Sequence, residues 1–320
     1  MCGIVGYIGQ REAAPILLDG LRRLEYRGYD SAGLAVVNNN GSVEVRRDIG
    51  KLANLERTML ASPVQGHVGI GHTRWATHGK PAHHNAHPHV DCSGTVVCIH
   101  NGIVENFAAL RDELATAGHE FASETDTEVI PHLVEQHLME GNDLAEAARR
   151  ALLRLRGANA IVLLSAREPD NLIAARLGNA GGVAIGLGDG EMFIASDLPA
   201  ILEYTRQVVF LENREMAVVT RGNVRYLSVD SGRAVPKEVT TIPWDPVSAA
   251  KGEFRHFMQK EIHEQARSLT DTVRGRVDFA SGEILLPEVP WPDGSLRRLR
   301  RAAIVACGTS AHAGLVGKFW

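Results

Sequence analysis

The chain has 320 residues, 44% hydrophobic and 22% charged, an ordinary globular balance with enough apolar sequence for one large domain or two smaller ones. Its formal net charge of −4 gives no electrostatic footprint for nucleic acid, and no run of about 18 apolar residues reads as a membrane span. Four cysteines, Cys2, Cys92, Cys98 and Cys307, fit neither zinc-site nor disulfide spacing, which points to a reducing, cytoplasmic setting; no secretion signal opens the chain.

The first residues are Met1-Cys2-Gly3-Ile4-Val5-Gly6. Methionine aminopeptidase removes a start methionine that precedes a small side chain, which would leave Cys2 with a free α-amine. An α-amine titrates at about 7.7 to 8.0 and a thiol near 8.5, so one residue would then carry both a nucleophile and its base. A buried, inert cysteine is the other reading of this position.

Ile4 to Ile8 reads as a buried strand, and Ile16, Leu17, Leu18, Leu21 and Leu24 recur on one face of a helix ending before Arg27-Gly28. Leu34 to Val37 and Val43 to Arg46 flank the hairpin turn Asn38-Asn39-Asn40-Gly41. A strand is predicted at Val96 to Ile99, then helices over 106–117, 127–139 and 144–155. Seven short β-rich runs follow between Ala160 and Ser228. Helices grouped before strands predict an α+β protein of stacked antiparallel sheets with helices outside. Thr241 to Pro246, with two prolines, reads as a linker, and Phe254 to Leu269 as a polar helix. Ala302 to Ser310 reads as a strand entering a Gly-Thr-Ser turn and a helix, so that a second domain is expected to be cut short at Trp320.

Three polar clusters accompany Cys2. His72-Thr73-Arg74-Trp75-Ala76-Thr77-His78-Gly79 suits a mobile loop that clamps a carboxylate through an arginine fork, or an ordinary surface loop. In His100-Asn101-Gly102, the Asn101 amide and the Gly102 N–H can converge on a developing oxyanion, or simply form a turn. Thr125 and Glu128 have capping-box spacing, which predicts a helix start; Asp126 there either supports that helix or receives a substrate ammonium. Eight of the 14 histidines lie between His67 and His100, yet neither His-Glu-x-x-His nor a cysteine pair within one ligand turn occurs, so no metal is predicted. The glycines of Gly186 to Gly190 read as a hairpin turn rather than a dinucleotide loop.

Taken in order, Cys2 to Gly6, Leu24-Glu25-Tyr26-Arg27-Gly28-Tyr29-Asp30-Ser31-Ala32-Gly33, His72 to Gly79, Asn85 to His89, His100 to Asn106 and Ser123 to Val129 resemble the glutaminase half of the glutamine–fructose-6-phosphate aminotransferases. The resemblance implies a four-layer αββα N-terminal nucleophile hydrolase fold over 2–240. It further implies a linker over 241–252 and the opening of an α/β sugar isomerase domain over 253–320. It implies that Cys2 attacks the glutamine side-chain amide, with Asn101 and Gly102 holding the oxyanion. Arg74, Thr77, His78 and Asp126 would bind the substrate, and Trp75 would gate ammonia. Thr309 and Ser310 would begin a sugar-phosphate site.

The implied partners are L-glutamine and, in the full-length enzyme, fructose 6-phosphate and a second copy joined through the isomerase domain. No metal or organic cofactor, nucleic acid or membrane is implied. On this reading the 320 residues hydrolyse glutamine but make no amino sugar. The rival expectations are a catalytically silent glutamine-sensing module and a related enzyme with another ammonia acceptor. Pro131 departs from an ideal helix interior unless it lies in the first turn.

Overall fold

In the computed structural model, which describes residues 2–76, 78–243, 254, 256–273, 276–278, 281–284, 300–301 and 303–319, the chain forms two compact units, Met1–Glu253 and Phe254–Trp320. The layering of the first unit can be read from single strands. Along β1 (Gly3–Ile8), Ile4 and Ile8 enter one core while Val5 and Tyr7 enter another, as the two-residue period of a strand requires. β6 (Val96–Gly102) divides the same way: Val97 and Ile99 join the core of Ile4, whereas Val96 and Cys98 face a third.

β1 lies inside an eight-stranded antiparallel sheet with β2 (Ser31–Val37), β3 (Val43–Ile49), β4 (Val68–Arg74), β9 (Ala184–Leu187), β10 (Met192–Ala195), β11 (Gln207–Phe210) and β14 (Thr240–Thr241). Its order is β14-β11-β9-β10-β1-β4-β2-β3. The second sheet joins β6 to β5 (His89–Val90), β7 (Asn159–Ser165), β8 (Leu172–Leu177), β12 (Glu215–Val219) and β13 (Val224–Ser228). Its order is β13-β12-β8-β7-β6-β5. The two sheets share the middle core.

Helices α1 (Ala13–Leu24) and α2 (Leu52–Ala61) cover the outer face of the first sheet. Helices α3 (Phe107–Thr116), α4 (Val129–Met139) and α5 (Leu144–Arg154) cover that of the second. The result is the expected αββα stack, with each buried Leu, Ile or Val contributing about 1.5–3 kcal/mol of transfer free energy.

Several elements go beyond the sequence expectations, and one corrects them. α2 and β4 were not foreseen, and His72 to Arg74, expected in a mobile loop, end the buried strand β4. Along β4 the residues Gly69 and Gly71 lie under α1, where an added Cβ would come within 2.9 Å of Leu17 Cδ1 and 3.0 Å of Leu21 Cδ1. At these two positions the strand face under the helix therefore carries no side chain.

The capping box is also corrected. α4 begins at Val129 without a side-chain cap, and the Glu128 carboxylate instead accepts the Ala122 and Ser123 N–H groups at 2.7 Å each. Pro131 sits in the first turn of α4, where its missing N–H costs no helical bond. Gly188 N–H bonds to the Glu191 carbonyl, which makes the glycine cluster a hairpin turn between β9 and β10.

The second unit has helices α6 (Phe257–Val273) and α7 (Gly308–Gly317) and a hairpin of β15 (Val277–Asp278) with β16 (Glu283–Ile284). The expected strand before the Gly-Thr-Ser turn is not formed over the described residues 303–307. The linker from Trp244 onward and Ala302 lie outside the described residues. Among the described residues no helix is long and apolar enough to cross a membrane.

Candidate active site

Three strand ends meet at one edge of the sheet sandwich. β1 and β4 are antiparallel neighbours with Gly3 opposite Thr73, which sets the residue before β1, Cys2, beside the last residue of β4, Arg74. The end of β6 brings Asn101 and Gly102 to the same place from the other sheet: the Asn101 amide Nδ2 donates to the Cys2 carbonyl at 3.0 Å. A cavity of about 470 Å³ opens there, lined among others by Cys2, Arg74, Trp75, Asn101, Gly102 and Asp126. Residues 179–181 form part of its far wall.

The Cys2 sulfur accepts the Trp75 N–H at 3.1 Å. Burial pushes the Cys2 thiol above its ordinary value, opposed by that N–H and by positive charge that includes Arg74 and Arg27. The thiol therefore needs a base to react near neutral pH.

Asn101 is held by a residue that the sequence did not single out. His72 Nε2 lies 3.0 Å from Asn101 Oδ1. Burial lowers the His72 pKa to about 3, so its ring is neutral, and because an amide oxygen only accepts, the proton must sit on Nε2. This bond fixes the amide with Nδ2 turned toward Cys2.

The His72 ring stacks on His87 at 4.1 Å, and His87 Nδ1 accepts the His100 N–H. His100 in turn meets Thr127 Oγ1 and Asn159 Oδ1, each at 2.9 Å. Burial likewise lowers His87, His89 and His100. This part of the histidine cluster is a neutral array whose His87 and His100 form part of the cavity wall.

Arg74 and Asp126 present opposite charges to the cavity. Arg74 Nη2 donates to the carbonyls of His78 and, at 3.0 Å, Gly79, whereas its Nη1 is buried with no hydrogen-bond partner among the described residues. Burial lowers the Arg74 pKa against the pull of Cys2, Asp126 and Asp30. An unpaired buried guanidinium N–H is costly and marks a place for an anion. One Asp126 oxygen accepts the Val104 N–H at 2.8 Å.

His78 contributes its carbonyl, while its ring packs edge-on against Phe107 and is not in the cavity lining. Thr77 lies outside the described residues. Trp75 is half-exposed at the cavity, edge-on to Tyr29 at 5.4 Å. Thr309 and Ser310 belong to the other unit, exposed in the first turn of α7.

The run Tyr26 to Gly33, used above only for its resemblance, supports this loop. A Cβ on Gly28 would come within 2.7 Å of the Arg74 carbonyl carbon and 2.9 Å of the Trp75 nitrogen. Asp30 accepts the Ala76 N–H at 2.8 Å, and its own N–H donates to the Arg74 carbonyl at 3.0 Å. The hydrogen-bonding residue types of that run were visible; their target, with Ala76 lying 46 residues beyond Asp30, was not.

Residues 72–203 match the family described as "Glutamine amidotransferase domain". The chain is 52% identical over 319 residues to a Symbiobacterium thermophilum protein named glutamine–fructose-6-phosphate aminotransferase [isomerizing], covering 100% of the chain and 51% of that protein. It is 47% identical over 320 residues to the Aquifex aeolicus protein of the same name, covering 100% of the chain and 52% of that protein. The chain thus spans about half the length of the curated relatives it matches.

Among solved structures, the glutamine phosphoribosylpyrophosphate amidotransferase of B. subtilis, complexed with ADP and GMP, superposes with a TM-score of 0.62 at 26% identity. That match covers 71% of this chain and 49% of that one.

Proposed function

We propose that the chain belongs to the glutamine amidotransferase family that includes the glutamine–fructose-6-phosphate aminotransferases, and that its cavity hydrolyses L-glutamine to glutamate and ammonia through Cys2. Removal of Met1 frees the Cys2 amine, which takes the thiol proton as the sulfur attacks the glutamine side-chain carbonyl carbon. The oxyanion is stabilised by Asn101 Nδ2 and the Gly102 N–H. The protonated amine returns its proton to the leaving nitrogen, and ammonia departs. Water then opens the γ-glutamyl thioester, releasing glutamate and restoring the thiol.

Arg74 Nη1 binds the substrate α-carboxylate and Asp126 the α-ammonium. Thr77 and His78 belong to the loop covering them, and Trp75 gates ammonia. One observation carries this reading: a nucleophile, an oriented amide, a guanidinium N–H with no partner among the described residues and a carboxylate line one cavity.

In the whole protein the ammonia would convert fructose 6-phosphate to glucosamine 6-phosphate, a step of hexosamine synthesis. The glutaminase domain would span 2–240, and 253–320 would open the sugar isomerase domain, with Thr309 and Ser310 in its phosphate site and a homodimer formed through it. The 320-residue chain alone releases ammonia without making amino sugar.

Intact-mass measurement with an electrophilic glutamine analogue tests the proposal. Loss of Met1 and one adduct on Cys2 are expected. An unmodified Cys2 in a protein that binds glutamine would sink it in favour of a silent sensor.

A further inference from the structure

We propose that Cys92, His119, His132 and Glu135 form a structural zinc site on the outer side of the second sheet, separate from the cavity of Cys2. The four ligand atoms all lie within 4.8 Å of one another. They come from three segments: the turn between β5 and β6, the chain just after α3, and two positions of α4 that are three residues apart and so share a face. No local motif joins them, which is why the spacing of cysteines and histidines along the sequence predicted no metal.

Four of the six distances between these atoms are near those of a coordination shell. The Cys92 sulfur is 3.6 Å from His119 Nδ1 and 3.5 Å from His132 Nδ1. Glu135 Oε2 is 3.1 Å from His119 Nδ1 and 3.6 Å from His132 Nδ1. Four ligands at usual zinc bond lengths, about 2.0–2.2 Å to nitrogen or oxygen and 2.3 Å to sulfur, leave tetrahedral edges of roughly 3.3–3.6 Å. Both imidazoles turn the same nitrogen, Nδ1, toward one sulfur and one carboxylate oxygen. That convergence suits a shared cation better than a chain of pairwise hydrogen bonds. A thiolate, two imidazoles and a carboxylate select zinc among the common divalent ions.

An outer shell supports the ligands. The Glu120 N–H points at the Cys92 sulfur at 3.4 Å. Glu135 Oε1 accepts the Ser93 N–H at 3.2 Å, which turns Oε2 toward the centre. His132 Nε2, on the far side of its ring, is 3.9 Å from Glu128 Oε1. At that distance Nε2 makes no hydrogen bond to the carboxylate and has no partner among the described residues, so Glu128 acts on the ring through its charge alone. The His119, His132 and Glu135 side chains are each at least nine-tenths buried.

Four protein ligands leave no open position, so the ion's role is structural. It would tie residues 119–128, which carry Asp126, to α4 and to the turn that leads into β6.

Cobalt(II) titration of the chelator-treated full chain tests the site. A tetrahedral visible spectrum with a thiolate charge-transfer band should saturate at one equivalent, bleach on adding zinc, persist in Cys2→Ala and disappear in Cys92→Ala. No charge-transfer band in the unsubstituted chain, or a band that survives Cys92→Ala, overturns the proposal. Chelation should also lower the melting temperature of the unsubstituted chain; no change on chelation counts against a structural ion.

Discussion

Cys2 and Cys92 lie near opposite ends of strand β6, and their surroundings explain why one is proposed to react and the other to ligate. Around the Cys2 sulfur the only hydrogen-bond donor among the described residues is the Trp75 N–H, and the sulfur opens on a cavity whose charged groups are suited to an amino acid. Beside the Cys92 sulfur, on an exposed residue, two imidazole nitrogens and a carboxylate oxygen gather within 4.8 Å of it and of one another. Strand β6 runs between the two regions, with the Cys92 turn before its first residue and Asn101 near its last. A thiol's role is thus set by whether its neighbours surround the sulfur or the space in front of it.

The sharpest way to break this contrast is to exchange the two thiols' fates. Cys2→Ala should cut glutamine hydrolysis by about 10⁴-fold or more, the scale seen when a nucleophile is removed and the rest of the site remains. Cys92→Ala should leave the analogue adduct on Cys2 while abolishing the cobalt charge-transfer band. Measured ammonia release from Cys2→Ala within tenfold of the unsubstituted chain would end the assignment of Cys2.

The oxyanion hole comes next in size. Asn101→Ala should lower kcat by about 10²- to 10³-fold with little change in KM, because the donor is needed only as charge develops. His72 is a positioning residue for that amide. His72→Phe should lower kcat about 10-fold or more by freeing the Asn101 side chain to rotate. His72→Gln, whose amide can still donate to Asn101 Oδ1, should recover part of that loss. If Gln behaves like Phe, the His72 bond does not orient the amide.

How much of this was legible follows from the range over which each signal acts. The αββα stack was visible because strands such as β7 and helices such as α5 carry their burial pattern locally. β4 was not, since Gly69 and Gly71 remove the alternation on the face that α1 covers. Cys2, Arg74, Asn101 and Asp126 could be named from the residue types around them and from the resemblance. The partners that make them work could not: Asp30 reaches Ala76 across 46 residues, and His72 reaches Asn101 across 29. The Cys92 cluster was invisible for the same reason, and the sequence rule that set metals aside looked only within single turns.

A smaller effect separates binding from chemistry inside the cavity. Asp126→Asn keeps an acceptor for the Val104 N–H but removes the charge offered to the substrate ammonium. A hydrogen bond to a charged group is worth about 1.5–3 kcal/mol, so KM should rise roughly 10- to 100-fold with kcat little altered. A loss confined to kcat would place Asp126 in the support of residues 103–104 rather than in contact with substrate.

The smallest effect lies in the acidity of Cys2 itself. Burial raises this thiol above its ordinary value, and the Trp75 N–H together with nearby positive charge only partly offsets it. The thiolate is the form that reacts, so a raised pKa means less of it at neutral pH and a reaction rate that is still climbing at alkaline pH. Alkylation of Cys2 by a neutral electrophile, followed by peptide mass against pH, should show a midpoint above that of an ordinary thiol. A chain that retains Met1 should fall below the processed chain in glutamine hydrolysis at every pH, because its nitrogen is an amide and cannot take the proton. Equal hydrolysis rates would show that the α-amine is not the base, even if Cys2 is the nucleophile.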